Sequence, residues 1–204
     1  MKSQVTLLLV CLLFSKVFSL TCVTDPCEST DDQCRRTCSE KCVTMTSSIS
    51  SSSDGTNVPA PTVSTSKSCS GPKQPCTSFS LNTAAMKVKY NTKCCSTDLC
   101  NSETLPAPSP NPNGRMCYTC NNKNCTIQVK CEGDEYYCFN IKDETGQVST
   151  MKGCSNKGYC SLNNAPESDI RNMECCQGNL CNSAEIFTLR FLLLIIPLFS
   201  STIL

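Results

Sequence analysis

The chain begins and ends on apolar stretches, and the pattern between them is polar and short in period. After Met1-Lys2, an apolar run extends from Val5 to Phe14, followed by short residues at Val17 and Ser19. This is the pattern of a signal peptide over residues 1–19, cleaved after Ser19. At the other end, Phe191 to Leu204 is apolar almost throughout. As a helix these 14 residues would rise about 21 Å, short of the roughly 30 Å hydrocarbon layer. Pro197 would also interrupt such a helix. A hydrophobic tail that cannot span predicts a glycolipid-anchor signal, residues 183–204, removed on attachment. The anchor falls on Asn182 or Ser183, in the small-residue run that ends at Ala184. Asn182 fits best because both following residues are small, whereas Ser183 places Glu185 two residues on.

Between these ends the readable elements are strands and turns. Tyr136 to Lys142 alternates so that Tyr137, Phe139 and Ile141 share a face. Asp143 to Gly146 can turn, and Gln147 to Lys152 can return as the partner strand. From Val43 to Ser68, serine and threonine occupy 14 of 26 positions, with Pro59 and Pro61 near the tip. This reads either as a long polar hairpin or as a carrier of O-linked sugars. Ser102 to Arg115 holds four prolines and predicts a semi-extended linker.

Composition then narrows the class. The chain has 21 cysteines in 204 residues, no histidine, no tryptophan and a net charge of +1. That cysteine content is the mark of a secreted disulfide scaffold. The small net charge offers no field to recruit nucleic acid. The lack of histidine removes Ser-His-Asp and Cys-His catalysis. Cys117-x-x-Cys120 has redox spacing, and four-cysteine zinc sites are conceivable, but among so many secreted cysteines both readings yield to bridges. The expectation is a non-enzyme with no cofactor and no metal.

The twenty cysteines after Cys11 divide into two sets of ten. Each set ends alike: Cys94-Cys95-Ser-Thr-Asp-Leu-Cys100-Asn101-Ser102 and Cys175-Cys176-Gln-Gly-Asn-Leu-Cys181-Asn182-Ser183. This is an internal repeat. Two adjacent cysteines, four residues, then Cys-Asn, closing a ten-cysteine unit, resembles the urokinase receptor/lymphocyte antigen family of three-finger domains. Met116-Cys117-Tyr118-Thr119-Cys120 is similar to that family's opening strand. The resemblance implies an all-β, disulfide-rich fold of two tandem three-finger domains, at 20–101 and 116–182, joined by the linker 102–115. It also implies the pairings Cys22–Cys42, Cys27–Cys34, Cys38–Cys69, Cys76–Cys94 and Cys95–Cys100 in the first domain. In the second it implies Cys117–Cys138, Cys120–Cys125, Cys131–Cys154, Cys160–Cys175 and Cys176–Cys181. The first copy departs from the pattern, with four residues between Cys22 and Cys27, Val23 at an aromatic position and a compressed first finger.

Small cores need such staples, because each disulfide adds about 2–4 kcal/mol, mainly by restricting the unfolded chain. Tyr136, Tyr137 and Phe139 are candidate partner contacts, since exposed aromatics anchor interfaces; the bland alternative is that they cover the sheet. Glu132, Asp134 and Glu135 read as a solvated acidic loop. Asn124-Cys125-Thr126 is an N-glycosylation sequon. The functional expectation is a glycolipid-anchored receptor or adhesion protein of the outer leaflet that binds an extracellular protein or membrane co-receptor. The competing readings are a secreted two-domain inhibitor, similar to the serum phospholipase inhibitors, and a glycosylated structural coat.

Overall fold

The computed structural model describes residues 19–25, 34–52, 59–71, 76–121, 124–145, 149–164 and 172–183. The segment read as a signal peptide (all but Ser19), Cys27, the finger tip at 53–58, the turn residues 146–148 and the apolar tail lie outside these residues. Among the described residues no helix is long and apolar enough to cross a membrane.

The chain forms two compact units interleaved along the sequence. The first contains residues up to 44 together with 66–74 and 94–103; the second contains 45–65, 75–93 and everything from 104. In the first, β1 (Leu20–Val23) pairs antiparallel with β2 (Arg35–Cys38). Cys22, Cys38 and Cys42 form its buried centre, with Leu20, Cys69, Cys95 and Cys100 packed around them. The bridges Cys22–Cys42, Cys38–Cys69 and Cys95–Cys100 run through this cluster. Cys34, Cys76 and Cys94 are disulfide-bonded as well. Sulfur replaces the hydrocarbon that so short a segment cannot supply.

The larger sheet is built from β3 (Cys42–Ser51), β4 (Thr62–Cys69), β5 (Phe79–Asn82), β6 (Met86–Cys95), β9 (Tyr137–Lys142), β10 (Ser149–Ser155) and β11 (Met173–Gln177). Their order is β11-β9-β10-β5-β6-β3-β4. Strands β7 (Pro112–Thr119) and β8 (Ile127–Glu132) form a separate antiparallel ribbon. Strand alternation gives the second unit two chemically different layers. On one face Leu81, Phe139 and Met173 meet Tyr159 of α1 (Lys157–Ser161), with Phe79, Met86, Ile141, Met151 and Leu162 around them. Phe139 and Tyr159 meet edge to face at 5.3 Å. Each fully buried side chain of this kind contributes about 1.5–3 kcal/mol. On the other face the cystines of Cys117, Cys131, Cys138 and Cys154 form the buried hub.

Gly153 is required at this junction, since a Cβ there would lie 2.2 Å from the Asn82 carbonyl oxygen and 3.0 Å from Phe139 Cε1. The short helix is held by its N-cap. Asn156 Oδ1 accepts from Tyr159 N at 3.0 Å and from Ser80 N at 3.1 Å.

The segment read as a linker is extended, as its prolines dictate, but it is not free. Thr46 Oγ1 donates to the Leu105 carbonyl at 2.9 Å and Asn91 Nδ2 to Pro106 at 2.8 Å. Lys89 Nζ donates to the Ser109 carbonyl at 3.1 Å, and Gly133 N to Asn111 at 2.9 Å. Prolines leave carbonyls without the competing N–H groups of a strand ladder, so side chains and the Gly133 N–H take them. The serine-rich finger is a hairpin of β3 and β4 whose two strands differ in burial. Thr44, Thr46, Ser47, Ser48 and Ser50 of β3 are buried, whereas residues 62–66 of β4 are exposed.

Candidate functional site

The repeated Cys-Asn motif does the same structural work in each unit. In the first, Asn101 Oδ1 accepts from Val23 N at 2.9 Å, and its Nδ2 donates to the carbonyls of Val23 at 2.8 Å and Val43 at 3.2 Å. In the second, Asn182 Oδ1 accepts from Tyr118 N, and its Nδ2 donates to the carbonyls of Tyr118 and Phe139, all at 2.9 Å. The preceding turn repeats too. Leu99 N donates to Thr21 O at 2.7 Å and Leu180 N to Met116 O at 2.8 Å, with φ of 54° and 55°. The amide thus ties the closing turn to two strands.

The bridges of the second unit are Cys117–Cys138, Cys120–Cys125, Cys131–Cys154, Cys160–Cys175 and Cys176–Cys181. Cys117 and Cys120, which share redox spacing, therefore belong to different cystines. The sulfurs of Cys117, Cys131 and Cys154 lie within 4.8 Å of one another. This closeness comes from two stacked cystines, whose sulfurs carry no thiolate to ligate a metal.

The three aromatic candidates go to three environments. Phe139 has no exposed surface and belongs to the core, so it is not a partner contact. Its position in β9, between β10 and β11, gives it a neighbour on either side. Tyr137 is half-buried. Tyr136 is 49% exposed, and the Arg115 guanidinium lies 5.7 Å from its ring centre. The sequence reading missed Arg115 because it placed that residue at the end of a linker. Its separation of 21 residues from Tyr136 leaves no local signal.

Two members of the acidic run beside Tyr136 are not solvated, while Asp134 is exposed. Glu135 is fully buried and Glu132 nearly so. Glu135 Oε1 accepts from Ser80 Oγ at 2.5 Å, and its Oε2 accepts from Asn82 Nδ2 at 3.0 Å and Glu132 N at 2.8 Å. Lys89 Nζ lies 2.7 Å from Glu132 and 3.3 Å from Glu135, and Lys87 Nζ lies 2.5 Å from Glu132. Two lysines thus balance two carboxylates, which is the condition for burying charge at all. Burial pushes the Glu132 carboxyl up, but hydrogen bonds and charge from Lys87 and Lys89 outweigh it and hold the group below its ordinary value.

The same loop is fixed from outside the network. Asn113 Nδ2 donates to the carbonyls of Gly133 and Glu135, both at 3.1 Å. Asp134 accepts from Asn156 Nδ2 at 2.8 Å. Gly133 adopts φ +56°, which favours glycine. One face of the loop is therefore anchored by Glu135, and the next residue, Tyr136, is displayed outward on a rigid base. Nearby, Lys87, Lys89 and Glu132 border a small cavity of about 80 Å³ with Pro59, Pro61, Pro108 and Pro110.

Elsewhere, Lys152 is almost buried in β10, and burial first, then the charge of Lys142, lowers its pKa. Asn124 is exposed, with its Oδ1 accepting from Thr126 N at 3.3 Å and Thr126 Oγ1 at 3.2 Å.

Comparison with known proteins agrees with this architecture. Residues 116–182 match the family described as snake toxin and toxin-like protein. Over 106 residues the chain is 30% identical to the urokinase plasminogen activator surface receptor of Mus musculus. That match covers 45% of this chain and 32% of the relative, so the chain spans about a third of the relative's length. Residues 116–182 thus resemble the snake toxin and toxin-like family, and part of the chain is similar to the mouse urokinase plasminogen activator surface receptor.

Proposed function

We propose that this chain is a non-enzymatic extracellular binding protein, held on the outer leaflet by a glycolipid and recognising a protein partner through the Tyr136–Arg115 surface. The reading includes two tandem three-finger repeats, 20–101 and 116–182, with the ten cystines named above and an N-linked glycan on exposed Asn124. The observation that carries it is the display of Tyr136. A large aromatic stands half-exposed on a loop whose neighbour Glu135 is fully buried and hydrogen-bonded. Rigid aromatics lose little entropy on binding, and tyrosine and arginine dominate interface hot spots. The mouse relative is by name a surface receptor for urokinase plasminogen activator. Its limited coverage carries the class of function, an extracellular protein ligand, and not the identity of that ligand.

The test is a titration of labelled protein, released from expressing cells by phosphatidylinositol-specific phospholipase C, onto a panel of cell types and matrix proteins. Saturable binding should weaken about tenfold or more in Tyr136→Ala, equivalent to about 1.4 kcal/mol. Unchanged binding by both Tyr136→Ala and Arg115→Ala rejects this surface. Protein already free in the medium before treatment favours a secreted inhibitor.

A further inference from the structure

We propose that the glycolipid is attached to Ser183 and not to Asn182, an inference that rests on the anchored reading above. By sequence Asn182 is the better site, because Asn182, Ser183 and Ala184 give three successive small residues. The structure assigns Asn182 to other work. It is 5% exposed, and its side chain makes three hydrogen bonds of 2.9 Å to the backbones of Tyr118 and Phe139.

The internal repeat supplies a control. Asn101 is 2% exposed and makes the equivalent bonds to Val23 and Val43, yet it is followed by Ser102-Glu-Thr-Leu-Pro and no apolar tail. An asparagine after the last cysteine is therefore explained by folding alone, in a repeat that no anchor follows. Its agreement with the anchor pattern at 182 needs no second cause.

The chemistry separates the two residues. An acyl-transfer enzyme selective for a small side chain must grip that side chain, and the Asn182 amide is already gripped by two strands. Withdrawing it leaves a donor and two acceptors in the protein without partners, which is costly for each group that stays buried. Ser183 is the first residue beyond this clamp. It is half-exposed, its N–H donates to Leu180 O at 3.3 Å, and its hydroxyl makes no hydrogen bond among the described residues. In the transfer, the Ser183–Ala184 C–N bond breaks and the Ser183 carbonyl carbon forms an amide with the ethanolamine nitrogen of the preformed glycolipid. The tail leaves as a free amine at Ala184, which takes the proton lost by the ethanolamine nitrogen, and nothing is oxidised or reduced. A single residue then separates the folded unit from the membrane glycan, so the unit has no peptide stalk.

The test uses the full chain in animal cells. Anchored protein is released by phospholipase C, reduced and digested with trypsin, and the C-terminal peptide that begins at Asn172 is sequenced by mass spectrometry. The expected peptide ends at Ser183 carrying ethanolamine phosphate and glycan. The same modification on Asn182 or Ala184 overturns this inference and leaves the anchored reading standing. A peptide series that runs on to Leu204 without ethanolamine overturns both. As an independent measurement, Ser183→Leu in the full chain should cut phospholipase-releasable surface protein at least tenfold. Undiminished release from that variant overturns the assignment, whatever Asn182 variants do to folding.

Discussion

Replacing Glu135 by glutamine tests whether the buried carboxylate holds the loop that displays Tyr136. The two side chains have nearly the same shape, so packing is preserved and the charge is removed. Glu135 now accepts from Ser80, Asn82 and the Glu132 N–H, with Lys89 Nζ at 3.3 Å. A glutamine has one acceptor oxygen. If that oxygen serves Asn82 and the Glu132 N–H, the new amide N–H groups face Ser80, which can rotate to accept, and Lys89, which cannot. Two lysines are then left with one carboxylate, Glu132. At 3.3 Å the lost attraction is about 5 kcal/mol for an effective dielectric near 20. Recovered carboxylate desolvation and the bonds that Lys89 keeps to Glu132 and Ser109 reduce this to a net loss of about 2–3 kcal/mol. The assay is urea unfolding with bridges intact at pH 7, followed by near-ultraviolet circular dichroism of tyrosine, since the chain has no tryptophan. The double variant Glu135→Gln/Lys89→Gln should recover at least half of the loss by restoring charge balance. A change below about 0.5 kcal/mol in the single variant, the size of an ordinary surface substitution, would refute the reasoning.

Three further outcomes follow from the same geometry. Because Lys87 and Lys89 hold Glu132 below its ordinary value of 4.5, its contribution is complete above that value and is lost as pH falls through the depressed folded value; unfolding midpoints measured from pH 6 to pH 2 should fall less steeply in Glu132→Gln than in the parent. Gly153→Ala places a Cβ 2.2 Å from a backbone oxygen, so stability should drop by about 1–3 kcal/mol or more, and an unchanged thermal midpoint would contradict the packing of β10. Asn101→Ala leaves the Val23 N–H and the Val23 and Val43 carbonyls without their partner and should cost about 1–3 kcal/mol, read as faster amide exchange at Val23.

Phe139 shows where period-two reasoning ends. Alternation placed Tyr137, Phe139 and Ile141 on one face, and β9 does run from Tyr137 to Lys142. Alternation does not say whether that face meets water. Phe139 is buried because Leu81, Met173 and Tyr159 arrive from elsewhere in the chain. For the acidic run, neither Glu132 nor Glu135 carries a local sign of its fate, since the balancing Lys89 lies 43 and 46 residues earlier. Likewise the prolines of 106–112 dictate an extended path, but the docking of that path depends on Thr46, Lys89 and Asn91, which no turn or strand rule connects to it.

What the amino-acid sequence determines by itself is what short-range chemistry can encode. That includes the doubled ten-cysteine code with its closing Cys-Asn, the extended proline segment, and the hairpin strands β9 and β10. Bond geometry, proline ring closure and strand alternation act over a few residues, so they are legible in any window that contains them. Only the tertiary structure decided which hydroxyls of the serine-rich finger are buried, which carboxylates face lysines, and that Tyr136 faces outward beside Arg115. These outcomes depend on which distant groups share a low-dielectric space. Burying a charge is unfavourable until its partner is there, and that partner is supplied by the fold and not by the neighbouring sequence.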